Sequence, residues 1–141
     1  MRIATVDDLD ELQRMGLNFL EASPYKELGD KDIIRNVLTN IVKGDTREFI
    51  GIISPEVGFI LGSATPFLFG PHLLATEIAW WVEPEARGTG EGLKLLEAFE
   101  YWAKNVVGAK LVSMTSLDKN VEKFYKKNGY KLYERAYMKV L

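Results

Sequence analysis

The chain has 141 residues, 47% of them hydrophobic and 27% charged, with 18 basic against 20 acidic side chains. That is the length and balance of one globular domain, residues 1–141, with apolar material enough for its own core. A net charge of −2 provides no basic excess for a nucleic-acid backbone, and no nucleic-acid partner is expected. The absence of cysteine excludes disulfide frameworks, thiolate zinc sites and cysteine nucleophiles. A single histidine, His72, argues against a histidine-built metal site, so no metal is expected.

Met1 to Asp8 lacks the apolar core of a secretion signal, and a cytoplasmic location is expected. Val57 to Thr76 carries no charge and is long enough for a membrane span. Pro66 and Pro71 would break such a helix, and Gly58, Gly62 and Gly70 weaken it further. The segment is predicted to be two buried strands joined by a turn, not a membrane helix.

In chain order, Arg2 to Thr5 is a short strand, and Thr5-Val6-Asp7-Asp8 matches a capping box. Leu9, Leu12, Met15 and Phe19 then recur at helical spacing until Ser23-Pro24. Asp30 caps a second helix with Ile33 or Ile34, Val37 or Leu38, and Ile41 or Val42 on one face, ending at Gly44. Strands are predicted from Glu48 to Ile53, Val57 to Thr65 and Leu73 to Val82. A glycine-rich loop leads into a helix with Leu95, Phe99, Trp102 and Val106 inward, closed by Gly108. Lys110 to Thr115 is another strand, Asp118 caps a helix to Lys127, and Asn128-Gly129 stops it. Tyr130 to Tyr133 and Arg135 to Val140 read as a final pair of strands. This order predicts an α/β layered fold with a mixed sheet.

Arg87-Gly88-Thr89-Gly90-Glu91-Gly92 is the most informative stretch. A dinucleotide fingerprint would need glycine where Leu93 stands, and no Gly-Lys-Ser/Thr ending marks a P-loop. The small residues let a polyanion approach the main chain, and the following helix adds its positive end and unpaired amides. Arg87 and the Thr89 hydroxyl add charge and a donor. These features point to a diphosphate site.

Arg87-x-x-Gly90-x-Gly92, preceded by Trp81-Val82-Glu83-Pro84, resembles the Q/R-x-x-G-x-G/A motif of the GNAT N-acetyltransferases. Phe124-Tyr125-Lys126-Lys127-Asn128-Gly129-Tyr130 is similar to the signature that follows that loop in the superfamily. The resemblance implies a mostly antiparallel mixed sheet of six or seven strands with roughly four helices. It implies acetyl-CoA or coenzyme A as cofactor, held by Arg87, Gly88, Thr89, Gly90, Glu91 and Gly92. It implies that Val82 offers its amide to the thioester or pantetheine arm, where a bulged strand splays from its neighbour. Glu91 stands where the family has an apolar residue. Asp118 stands where many members have a cofactor-contacting asparagine, and is also an ordinary N-cap.

Acetyl transfer to an amine requires the neutral amine, and at pH 7 an alkyl amine of pKa about 10.4 is neutral in only about one molecule in a few thousand. A base is therefore useful, as are a donor to the carbonyl and an acid for the leaving thiolate. Tyr125 matches the family's acid. Glu77 is the acid residue within the Leu73 to Val82 strand and the candidate base, one residue out of step with the family's glutamate unless a bulge restores the register. His72 is the other group that titrates near neutrality, and Ser113 occupies the place of a glutamate used by protein N-terminal acetyltransferases. The resemblance places acceptor selection in the first two helices and their connection, where Tyr25 and Glu27 could meet a cationic amine. Trp80 and Trp81 point to opposite faces of their strand, and one of them could line the acceptor cleft. The expected activity is acetyl transfer from acetyl-CoA to a primary amine of a small molecule, peptide or protein, by direct attack in a ternary complex. The alternative is a non-catalytic coenzyme A-binding or protein-interaction module. Pairing into a homodimer through sheet edges is compatible with the sequence.

Overall fold

The computed structural model describes all residues, Met1 to Leu141. One carboxylate pins the N-terminus. Strand β1 (Arg2–Ile3) leads to Asp8, which accepts the Thr5 amide at 2.8 Å and takes the Arg2 guanidinium in two bonds of 2.6 and 2.8 Å. The expected capping box is thus present and starts helix α1 (Leu9–Ala22). Helix α2 (Lys31–Lys43) is capped as predicted, Asp30 accepting the amides of Asp32 and Ile33 at 2.8 and 3.0 Å.

Strands β2 (Phe49–Ser54), β3 (Gly58–Pro66) and β4 (Leu73–Val82) form an antiparallel meander, with β1 on the outer side of β2. The uncharged Val57 to Thr76 segment is therefore the body of a hairpin, and no helix is long and apolar enough to cross a membrane. Helix α3 (Glu91–Tyr101) runs on into a π-helical turn (Trp102–Val107), after which come β5 (Leu111–Ser113) and helix α4 (Lys119–Lys127). Strand β5 joins β4 in parallel, which completes the mixed sheet in the order β1-β2-β3-β4-β5.

Both faces of the sheet are covered, so the central strands read as apolar runs rather than alternations. Helices α1 and α2 bury Leu12, Met15, Leu38 and Ile41 against Ile53, Phe59 and Trp81 on one face. Helix α3 and its π-helical turn bury Leu95, Phe99 and Trp102 against Ile50, Ile52, Ile60 and Ala75 on the other. Ala75 and Trp80 share the α3 face although five residues apart, which a regular strand cannot do. The register explains it: Leu61 opposes Ala79 but Gly62 opposes Glu77, so Ile78 is an extra, exposed residue. The bulge implied by the resemblance is present, at Ile78.

Two expectations are corrected. The sheet has five strands rather than six or seven, because residues 130–141 form no strand. Tyr130 to Tyr133 and Arg135 to Val140 have β-forming composition, but strand propensity is realised only against a partner, and β5 offers three residues of edge. The segment is held instead by side chains, with Tyr130 bonded to Glu100 at 2.6 Å and Tyr133 to Ser113 at 3.0 Å. Val106 is exposed rather than inward. The wider π turn advances the inward face to Ala103 and Val107 before Gly108 closes the helix at φ +75°.

Gly62 leaves space for the buried Phe99 ring, since a Cβ there would sit 2.2 Å from Phe99 Cε2. Gly62→Ala is expected to destabilise the fold by about 1–3 kcal/mol, read as a lower urea midpoint at unchanged slope. An unchanged midpoint would contradict this packing.

Candidate active site

The site lies where β4 ends. The β4–β5 ladder covers only Leu74–Thr76 against Leu111–Ser113, after which the strands part. The Glu83 amide donates to Val57 O at 2.8 Å, so Glu83, Trp81 and Ala79 hold the hydrogen-bonded positions on β3. By alternation the amides of Trp80 and Val82 point away from β3, into the space that β5 has left.

A 3₁₀ turn (Pro84–Ala86) then leads into the glycine loop. Arg87 Nε donates to Val82 O at 3.0 Å, and its guanidinium lies 4.7 Å above the Trp81 ring, a cation–π contact. Arg87 therefore ties the loop to the strand end. The Thr89 hydroxyl donates to Ala86 O within the loop. Gly88 and Gly90 have φ of +79° and +89°, which glycine adopts without strain. A Cβ at either would meet nothing within 4 Å, so their outer side is open. Gly92 differs: a Cβ there would touch Trp80 and Val82 at 3.4 and 3.6 Å, so it faces the sheet. Gly90 occupies the N-cap of α3 and has no side chain to cap it. The result is a run of six consecutive amides, Gly88 to Leu93, with no acceptor in the protein. Glu91 is turned aside: Lys94 pairs with it at 2.6 Å and Ser54 Oγ donates at 3.3 Å, which holds its carboxyl below the usual range.

The two proton-transfer candidates meet at one residue that the sequence reading did not single out. Tyr125 is buried, and its hydroxyl donates to Thr115 O at 2.6 Å. Glu77, 6% exposed, accepts the Thr115 amide at 3.0 Å and the Thr115 hydroxyl at 2.7 Å on the same oxygen, Oε2. Burial raises the Glu77 carboxyl pKa, and the two Thr115 bonds oppose it. Burial, then the nearby Glu77 and Asp118 charges, push the Tyr125 phenol well above its ordinary value. Trp80 stacks on Tyr125 at 5.9 Å and also packs on Phe124, so it lies beneath α4. Asp118 Oδ1 accepts the amides of Asn120 and Val121, which makes it the N-cap of α4.

The other candidates stand apart. His72 is exposed in the β3–β4 turn, roughly 30 Å along the strand from Val82. Ser113 is bonded to Tyr133. Trp81 faces α1 and, with Asn18, Glu21, Ala22, Glu83 and Pro84, lines a cavity of about 300 Å³. Tyr25 and Glu27 are exposed and do not line it. Glu83, read from sequence only as a strand end, is a buried carboxylate that accepts Arg14 and Asn18 of α1, each at 3.0 Å. It fixes α1 to the end of β4, and only the fold brings these positions together.

A bulged strand parting from its neighbour, then a glycine loop with open amides at a helix start, define a mixed α/β acyltransferase-type architecture. The chain belongs to the GNAT acetyltransferase family: the model described as an acetyltransferase (GNAT) domain matches residues 48–132. Solved structures agree on the fold. A transcriptional regulator from Bacillus halodurans C-125 is similar at 25% identity, with a TM-score of 0.77 over 99% of this chain and 97% of that one. The aminoglycoside N-acetyltransferase AAC(6′)-Iy, in complex with CoA, is similar at 17% identity, with a TM-score of 0.78 over 99% and 92% of the two chains. A GNAT family acetyltransferase from Staphylococcus aureus is similar at 18% identity, with a TM-score of 0.68 over 99% and 96%. No functionally curated sequence matches the chain.

The burial of Tyr125 is open to a direct check. A difference titration of wild type against Tyr125→Phe, followed by phenolate absorbance, is expected to show no ionisation of this phenol by about pH 10. A difference signal with a midpoint at or below that pH would contradict the burial described.

Proposed function

We propose that the protein transfers an acetyl group from acetyl-CoA to a primary amine by direct attack within a ternary complex. The observation that carries this reading is the run of six unpartnered amides from Gly88 to Leu93 at the start of α3. Such a run, with no Cβ at Gly88 and Gly90 and the α3 dipole behind it, fits a diphosphate. The CoA complex of AAC(6′)-Iy, on the same fold, supports it. The family's acetyltransferase description supports the reaction class.

In this reading the amides of Gly88 to Leu93 hold the diphosphate and Arg87 keeps their loop on β4. Bound acetyl-CoA supplies an acyl group already activated as a thioester. The Val82 amide, aimed into the gap beside β4, serves as a donor to the carbonyl oxygen as negative charge develops there. As the amine nitrogen bonds to the carbonyl carbon and the carbon–sulfur bond breaks, the nitrogen's proton passes to water and Tyr125 would supply one to the departing sulfur: a phenol is protonated at neutral pH, and this one borders the gap through Thr115. The acceptor approaches from the α1 side, where Trp81 and Glu83 line the cavity.

The second reading is a coenzyme A-binding or protein-interaction module without turnover, favoured by the likeness to a transcriptional regulator at 25% identity. The two separate in one assay: purified protein, acetyl-CoA, a panel of amines and peptides, and detection of released thiol. Acceptor-dependent release supports the transferase. Coenzyme A binding without release from any acceptor supports the module.

Tyr125→Phe is expected to lower kcat by about 100-fold while the coenzyme A Kd stays within about twofold, since the lost hydroxyl serves the leaving group and the diphosphate contacts lie elsewhere, on Gly88 to Leu93. Unchanged turnover would refute the acid role. Gly90→Val is expected to weaken coenzyme A binding by about tenfold or more in calorimetry, because a β-branched residue is strained at φ +89° and covers the open side of the loop. Unchanged affinity would contradict the loop assignment.

A further inference from the structure

Three features of the β4–β5 junction belong together. First, the ladder stops at Thr76 and Ser113, yet two residues further on the Thr115 amide still finds an acceptor on β4. That acceptor is the side chain of Glu77 rather than a main-chain carbonyl. Second, the bulge at Ile78 sets which face Glu77 takes. Glu77 opposes Gly62 and so shares the face on which Gly62 meets Phe99 of α3, away from the Trp81 cavity on the α1 side. Third, the Thr115 carbonyl receives the Tyr125 hydroxyl. The connection thus runs from Glu77 Oε2 to the Thr115 amide and hydroxyl, and from the Thr115 carbonyl to Tyr125.

We infer that Glu77 is a positioning residue that acts through Thr115: its carboxylate terminates the β4–β5 ladder, sets where the two strands part, and fixes the carbonyl on which the Tyr125 hydroxyl rests. Thr115 is then the hub of the site, holding the edge of the gap with its amide and hydroxyl and the phenol with its carbonyl. Glu77 fits this work better than that of a base. Its Oε2 already accepts two donors, it is nearly excluded from solvent, and it lies on the face opposite the cavity that an acceptor would enter. A carboxylate accepting two bonds at the buried point where two strands part is a strong fixed contact, and charged hydrogen bonds of this kind exceed neutral ones.

This inference rests on the transferase reading for its catalytic consequence but not for its structural one, and the experiment separates them. Glu77→Gln keeps an acceptor oxygen in the same place, whereas Glu77→Ala removes it. Amide hydrogen exchange at Thr115 reports the contact without any substrate. It is expected to accelerate by more than about tenfold in Glu77→Ala and to stay within about fivefold of wild type in Glu77→Gln. In the thiol-release assay Glu77→Ala is expected to lose more than about tenfold in kcat, with Glu77→Gln recovering most of it, and acceptor KM moving less than kcat in both. Equal losses in the two variants would identify Glu77 as a base and overturn the inference. Thr115 exchange that is unaltered in Glu77→Ala would overturn it as well. If the wild-type protein released no thiol, the transferase reading alone would fail. Exchange at Thr115, together with weaker coenzyme A binding in Glu77→Ala but not Glu77→Gln, would still decide the positioning role.

Discussion

Everything at the site depends on two neighbouring strands that hold together for three residue pairs and then separate. A parallel ladder normally continues until a strand ends, because each further pair satisfies two main-chain groups. Here the bulge at Ile78 turns β4, the Glu77 side chain takes the donor that the ladder would have used, and the amides of Trp80 and Val82 are left facing open space. Unpaired strand groups are a liability in most folds. At this position they form a slot with a row of donors along one wall.

The glycine loop completes that slot at its end. Its charge balance is local: Arg87 is drawn onto Val82 O and Trp81, and Glu91 is neutralised by Lys94. What remains free for an anion is the main chain itself. Amides fixed by a left-handed turn at Gly88 and Gly90 need no reorganisation when an anion arrives, which is why such a loop can bind a diphosphate without a dedicated cluster of basic side chains. The packing on both sides of the sheet keeps this geometry rigid. Trp81 and Glu83 lock α1 to the end of β4, and Trp80 with Gly92 set the distance of α3 and α4 from the same strand.

Features that depend on near neighbours in the chain were legible in the sequence. Asp30 and Asp118 each cap the helix that follows, and Asp8 closes the capping box opened by Thr5, since a cap is decided within three residues. Gly88 and Gly90 could be read as a loop for the same reason. Features that depend on distant partners were not. The π turn at Trp102–Val107 answers to packing of Ala103 and Val107 on the sheet, and the apolar spacing of Val106 gave no sign of it. Residues 130–141 carry strand-forming side chains, but their conformation is set by the edge available to them. The convergence of Glu77 and Tyr125 on Thr115 joins positions 38 and 10 residues apart, at a place defined only by where two strands diverge. The bulge at Ile78 was anticipated only through the family resemblance. No local signal marks it, and the demand for Ala75 and Trp80 on one face is what produces it.

In the proposed function the main-chain amides opening α3 receive the diphosphate of coenzyme A. The most direct measurement is a titration of isotope-labelled protein with coenzyme A, following the backbone amide resonances. The largest shifts are expected on the contiguous run from Gly88 to Leu93, with Val82 shifting in the same titration. Saturable shifts confined to other parts of the surface, or none at millimolar coenzyme A, would contradict it.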